Sequence, residues 1–276
     1  MRKPLERLAR EGYEVTLLSP DSTGAISADA VREALREDTA LVTLMMVNNE
    51  TGAVTDIAGV ARALRAAKSR ALLHTDAVQG FMKEPFSAKT LGADMISVSG
   101  HKVHAPKGIG ALYIRQGLKL PAHILGGGQE EGMRSGTEPM PQIAAFGEAV
   151  RIAKAEMPEA NKRMEALRAQ CVQTLTDTVP GIVFLGGGSA HILSLSLPGY
   201  RSEVLMNYLE AKGIYVSKSS ACKRGKRSHV LEAIGAPDKV IDGALRVSFS
   251  RYTTAEECAY FCEALAAARK ELYPSL

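Results

Sequence analysis

Between residues 40 and 114, short apolar runs alternate with segments of helical period, and this alternation constrains the fold more than any other feature. Residues 40–47 form a nearly continuous apolar run, the pattern expected of a strand buried on both faces. Ile57, Val60, Ala61 and Leu64 recur at i, i+3, i+4 and i+7, so a helix there presents one apolar face, with Thr55 or Asp56 as its cap. Residues 71–75 and 95–98 read as the next strands, and 111–114 as another after a Pro/Gly-rich turn. Upstream, 15–18 reads as a short strand and 30–36 as a helix. Strands alternating with helices predict an α/β fold with a mainly parallel sheet and flanking helices.

The second half has a different rhythm. Two long helical stretches are expected between about residues 143 and 175. Leu193, Leu195 and Leu197 then alternate with Ser194 and Ser196, which predicts a strand with one solvated face. A helix over 203–212 should stop at Gly213, and a strand over 244–249 leads into a last helix whose start carries the capping box Thr254/Glu257. These patterns place a boundary near residue 155, with a larger α/β domain over 1–155 and a smaller α+β domain over 156–276.

With 276 residues the chain has room for one large or two ordinary domains. A content of 46% hydrophobic and 23% charged residues excludes disorder and collagen as the dominant class. No apolar run approaches the roughly 20 residues of a membrane span, and MRKPLERLAREGYEV is too charged for a signal peptide. Four cysteines in such a chain are no disulfide scaffold, so a reducing cytoplasm is expected. A net charge of +4, no Trp and 5% aromatics argue against nucleic-acid binding. The basic charge is nonetheless concentrated in one loop, 217–227, which holds five cations and no acid.

Ligands of open parallel sheets bind at the carboxyl ends of strands. Two polar clusters fall at such ends, HTDAVQ from His74 to Gln79 and SVSGHK from Ser97 to Lys102. Taken singly, Asp76 reads as a helix cap and Lys102 as a surface lysine. Taken together they form a carboxylate–amine pair, which is what pyridoxal phosphate requires: an amine to form the Schiff base and an acid to hold the pyridinium proton.

VNNETG, HTDAVQG, SGHKVHAPKGIGALY, GGGQEEGMRSGT and SSACKRGKRSHVL follow one another along the chain. In this order they resemble the fold-type I, class V aminotransferases, and within them the cysteine desulfurases. The resemblance runs over essentially the whole chain. It implies Lys102 as the Schiff-base lysine, Asp76 as the pyridinium partner, Gln79 facing the phenolic oxygen, and Ser99 and His101 as phosphate ligands. Asn49 would touch both cofactor and substrate carboxylate, and Arg246 would take that carboxylate through its guanidinium fork. Thr137 would reach the phosphate bound by the other subunit, which implies a homodimer with shared sites.

Cys171, Cys258 and Cys262 lie at helical spacing among apolar residues and read as core. Cys222 lies in the basic loop, where cations favour the thiolate. The resemblance makes it the persulfide-bearing nucleophile that takes sulfur from L-cysteine, leaves alanine, and passes the sulfur to an acceptor such as an iron–sulfur scaffold or a tRNA-thiolation enzyme. The loop's cations either attract an acidic scaffold or are simply solvated. A related lyase or aminotransferase, selenocysteine lyase among them, is the alternative enzyme, and a binding or dimerisation module the alternative outside catalysis. No Cys/His spacing resembles a zinc site, so no metal is expected. The first residues align with an internal segment of family members. An N-terminal stretch of about 100 residues, comparable to a small domain, is therefore expected to be absent. That favours a fragment over a short form completed by a partner or a compact variant.

Overall fold

The computed structural model describes residues 2–218 and 227–274. Helices α1 (Arg2–Arg10) and α2 (Ala28–Ala34) precede β1 (Leu41–Met45), α3 (Ile57–Ala66), β2 (Leu72–Asp76) and the short α4 (Ala88–Leu91). Then come β3 (Met95–Ser99), one 3₁₀ turn (Gly100–Val103) and β4 (Gly110–Ile114). The long α5 (Met140–Thr178) leads to β5 (Val183–Leu185), β6 (Ile192–Ser196) and α6 (Ser202–Glu210). The chain ends with β7 (Ser217–Lys218), α7 (His229–Ala233), α8 (Asp238–Asp242), β8 (Ala244–Ser248) and α9 (Ala255–Glu271).

Two compact units result. One comprises Leu35–Met46 and Ile57–Ala155, the other Met1–Ala34, Val47–Asp56 and Glu156–Leu276. They divide within α5, and the C-terminal unit also takes in two segments of the N-terminal half, where the sequence pattern suggested a single cut near 155.

The first unit is built on a sheet of order β1-β2-β3-β4. β1, β2 and β3 are parallel, while β4 returns antiparallel to β3. The α/β class with a mainly parallel sheet is therefore as expected. Along β2, Leu73 and Thr75 are buried and alternate with half-buried His74 and Asp76. α3 buries Ile57, Val60, Ala61 and Leu64, the stripe its period predicted. β1 is not buried on both faces: Leu41 is 43% exposed, because among the described strands β1 has only β2 beside it. Residues 15–18 form no strand, and Leu17 is exposed. This four-residue segment pairs with none of the described strands, and without a ladder partner a strand does not persist.

The second unit holds an antiparallel sheet of order β5-β6-β8-β7. One face packs Leu193, Leu195, Leu245 and Val247 against the apolar stripes of α5, α6 and α9. Ala160, Met164, Leu167, Cys171 and Leu175 form the α5 stripe. That stripe continues as one helix from Met140 through Pro158, where two separate helices were expected. A proline removes a single i→i−4 bond, and here the helix runs on through it. The expected capping box is present: the Thr254 hydroxyl accepts from Glu257 N and the Glu257 carboxylate from Thr254 N. The expectation of a solvated serine face on β6 fails. Ser194 is 1% exposed and Ser196 0%, because Leu231 of α7 and Val240 and Ile241 of α8 pack with Ala244 on that side of the sheet. The Ser196 hydroxyl is satisfied by donating to the Val240 carbonyl at 2.6 Å.

Ser196→Ala should therefore lower the unfolding free energy by about 1–3 kcal/mol, since it leaves a buried carbonyl short of a donor. Urea unfolding at constant m-value measures it. A change within about 0.5 kcal/mol, as for a solvated serine, would contradict the burial.

Candidate active site

The carboxyl end of β2 carries the first group of polar side chains. His74 and Asp76 share a face because successive strand residues alternate. His74 bridges its neighbours: Nδ1 is 2.7 Å from Thr43 Oγ1 on β1 and Nε2 is 2.9 Å from Ser97 Oγ on β3. Hydroxyls can donate or accept, so either neutral tautomer is satisfied. Burial pushes the imidazole below its usual range, and the Asp76 carboxylate partly opposes this. Asp76 lies opposite Ser97 in the ladder, and its Oδ1 accepts from Val78 N at 3.1 Å. That bond turns the chain out of the sheet toward Gln79, which is buried.

β3 ends in the second group. Ser99 Oγ and His101 Nδ1 are 2.7 Å apart across the start of the 3₁₀ turn. A β-carbon on Gly100 would come within 2.7 Å of Ile109 Cγ2, so only glycine lets this turn fold back against the loop before β4. His104 closes the turn in the left-handed region, φ 67°, and its N–H donates to the Gly100 carbonyl. Lys102 rides on this short, hydrogen-bonded turn. His101 is exposed, and its pKa is lowered by partial burial and then by Lys102, Lys107 and Lys83. Lys83, in the segment after β2, donates from Nζ to the Lys102 carbonyl at 3.0 Å. Burial, and then the Lys102 charge, bring Lys83 down to about 8.

Asn49 and Arg246 belong to the other unit. There, Asn48 Oδ1 accepts from Glu50 N at 2.8 Å and Thr51 N at 3.1 Å, which fixes the VNNETG turn. Arg246 lies on β8 opposite Ser194 of β6 and Ser217 of β7. Its Nη1 donates to the Asn49 carbonyl at 2.8 Å, so it is no loose strand-edge arginine. Glu50 is buried and accepts from the Ser228 hydroxyl, which in turn accepts from Leu231 N at the start of α7. Burial raises the Glu50 pKa, while Ser228 and the Arg246 charge hold it back.

Cys222 lies outside the described residues. Both flanks of its loop are tied down. Lys218 pairs with Glu203, and Arg227 meets Asp242 at 2.9 Å and Asp238 at 2.8 Å. Two of the five loop cations are thus already engaged with acids of this chain. The other three cysteines are buried, and burial pushes the Cys258 thiol up to about 12.

The fold thus brings Asp76, Gln79, Ser99, His101 and Lys102 to neighbouring strand ends of one unit, and Asn49 and Arg246 together in the other. Thr137 is exposed. Lys83 and Glu50 were not singled out by the sequence. Their partners, the Lys102 carbonyl and Ser228, are 19 and 178 residues away along the chain. For Glu50 the hint was its place inside VNNETG; for Lys83 there was none.

A lysine on the turn after one parallel strand, with an acid at the end of its neighbour, sets an amine and a carboxylate at the edge where such sheets bind ligands. The chain belongs to the class-V aminotransferase family, whose pattern it matches over residues 2–261. Among its relatives is cysteine desulfurase 2 of Trichormus variabilis, 42% identical over 91% of this chain and 64% of that protein. Cysteine desulfurase IscS of Tolumonas auensis is 43% identical over 92% of this chain and 63% of that protein. The chain spans less than two thirds of the length of these curated relatives. A solved NifS-like protein superposes with a TM-score of 0.91 at 36% identity, over 98% of this chain and 72% of its own. DndA from Streptomyces lividans gives 0.75 at 37% identity, over 90% of this chain and 71% of its own.

The His74 environment carries a pH signature. Its folded pKa lies below the unfolded value of about 6.5, so its stabilisation is complete above that value and is lost as pH falls through to the folded pKa. Between about pH 7.5 and 5, the urea midpoint of His74→Gln should fall less than that of the parent. Parallel declines would place the acid sensitivity elsewhere.

Proposed function

We propose that this chain carries the chemistry of a pyridoxal-phosphate-dependent cysteine desulfurase, acting in the cytoplasm as a homodimer. The reaction would convert L-cysteine to L-alanine and leave a persulfide on Cys222 for transfer to an iron–sulfur scaffold or thiolation enzyme. The observation that carries this reading is the juxtaposition of Lys102, Ser99 and His101 on one turn with Asp76 across the β2–β3 ladder. Two relatives bearing that enzyme's name, at 42% and 43% identity, support it.

The residues fit the cofactor chemically. The Ser99–His101 pair and the cations of Lys102, Lys107 and Lys83 that act on His101 suit a dianionic phosphate. Asp76 offers a carboxylate to a ring nitrogen, and buried Gln79 an amide N–H to a phenolic oxygen. When bound, the cofactor supplies an electron sink for the bonds at the substrate's α-carbon.

The chain's own residues would do the rest. Lys102 would hold the cofactor through Nζ and would also take and return a proton there. Arg246, braced on the Asn49 carbonyl, offers its guanidinium to the substrate carboxylate. The Cys222 thiolate attacks the substrate sulfur: an S–S bond forms, the C–S bond breaks, and its electron pair stays with the product, which is protonated to alanine. Thr137 would contact the phosphate held by the partner subunit.

Titrating the purified chain with pyridoxal phosphate should raise a visible absorbance band that Lys102→Ala lacks. With that band present, alanine should form from cysteine, and Cys222→Ala should lower sulfur transfer by at least about 10²-fold while retaining the band. An equal band in Lys102→Ala would reject the lysine assignment. Undiminished transfer in Cys222→Ala would reject the nucleophile. A chain that dimerises without binding the cofactor would instead be a binding module.

A further inference from the structure

The turn after β2 fixes where Lys83 can reach. Gly80 N and Phe81 N donate to the Ala77 carbonyl at 3.0 and 2.7 Å, and Lys83 N and Glu84 N donate to the Gly80 carbonyl at 3.0 and 2.8 Å. Held by this ladder, the Lys83 side chain runs inward and donates to the Lys102 carbonyl at 3.0 Å. A partly buried lysine is uncommon, because desolvating an ammonium is costly. This one points at the main chain of another lysine, with the histidine of the same turn also within reach of its charge.

We infer that Lys83 is a positioning residue for Lys102: it clamps the 3₁₀ turn through the Lys102 carbonyl and sets a second cation within electrostatic reach of the Lys102 amine, which favours the uncharged, nucleophilic amine. The inference rests on Lys102 being the cofactor-attachment residue. Two ammonium groups in a partly desolvated site repel, and their interaction free energy is a single quantity shared by both. The Lys102 charge lowers the Lys83 pKa, and by reciprocity Lys83 acts on Lys102 in the same direction. Glu84 pulls Lys83 the other way, and His101 and Lys107 add further groups on the Lys102 side. A lysine activated by a cationic neighbour is a recognised route to amine nucleophilicity near neutral pH.

The test uses the full chain without cofactor. Competitive acylation with acetic anhydride, read by mass spectrometry across pH, yields the midpoint for Lys102. Lys83→Arg keeps charge and donor, so its midpoint should match the parent's. Lys83→Gln keeps an N–H donor but no charge, so its midpoint should rise by about one pH unit. Lys83→Met should raise it equally and also speed amide hydrogen exchange in residues 101–104. An unchanged midpoint in Lys83→Gln would overturn the charge role even if Lys83→Met fails to fold. In folded Lys83→Met, unchanged exchange would overturn the clamp. Borohydride reduction of the parent with pyridoxal phosphate, followed by peptide mapping, tests the underlying reading separately. A tag absent from Lys102 would reject the cofactor role while leaving the acylation midpoints interpretable.

Discussion

The parallel pairing of β1, β2 and β3 is the constraint on which the rest of the candidate site depends. Parallel strands in register end at one edge of the sheet, and the chain must leave there through turns that cannot join the ladder. The last residues of these strands and the turns beyond them carry Asp76 and Gln79 at β2, and Ser99, His101 and Lys102 at β3. β4 then returns antiparallel, so the exit from β3 folds back on the residues before β4, and Gly100 is the residue small enough to allow it. Shift β2 against β3 by one residue and Asp76 would turn to the opposite face.

Charge is crowded at this edge. Lys102, Lys107 and Lys83 all act on His101, and Lys102 acts on Lys83, where partial burial strengthens the repulsion because less water screens it. Such an arrangement is tolerable when an anion shares the site, and it holds Lys83 and His101 toward their neutral forms when none does. The opposite arrangement holds in the other unit. Buried Glu50 takes a hydrogen bond from Ser228 and feels the charge of Arg246, joining the Asn49 turn, the β8 strand and the start of α7. This joint and the Arg227 ion pairs fix the chain on the C-terminal flank of the Cys222 loop.

The cysteines show how environment sorts chemically identical groups. Cys171, Cys258 and Cys262 sit on facing stripes of α5 and α9, where burial keeps Cys258 protonated near neutral pH. They serve as small hydrophobes there. Cys222 lies between cations in the sequence, the setting in which a thiolate is favoured.

The four strands and α3 of the α/β unit were legible from hydrophobic period. The capping box at Thr254 and Glu257 could be read because its partners are three residues apart. The strand-end clusters around Asp76 and Lys102 were legible too, since a polar run directly after an apolar one marks the end of a buried strand, where parallel sheets bind their ligands. Features that depend on distant segments were hidden. Ser194 and Ser196 read as a solvated face because period reports alternation, not what covers each side, and α8 supplies the cover from 44 residues away. Residues 15–18 looked like a strand because propensity is local and ladder partners are not. Local order along the chain therefore determined which chemistry could exist here: an amine on a turn, a carboxylate at a strand end, an arginine on a strand and a thiol in a polar stretch. Tertiary structure alone decided that Arg246 rests on Asn49 and that Lys83 reaches Lys102. Those contacts depend on strand register and turn geometry, which sum over many residues and leave no mark at any one of them.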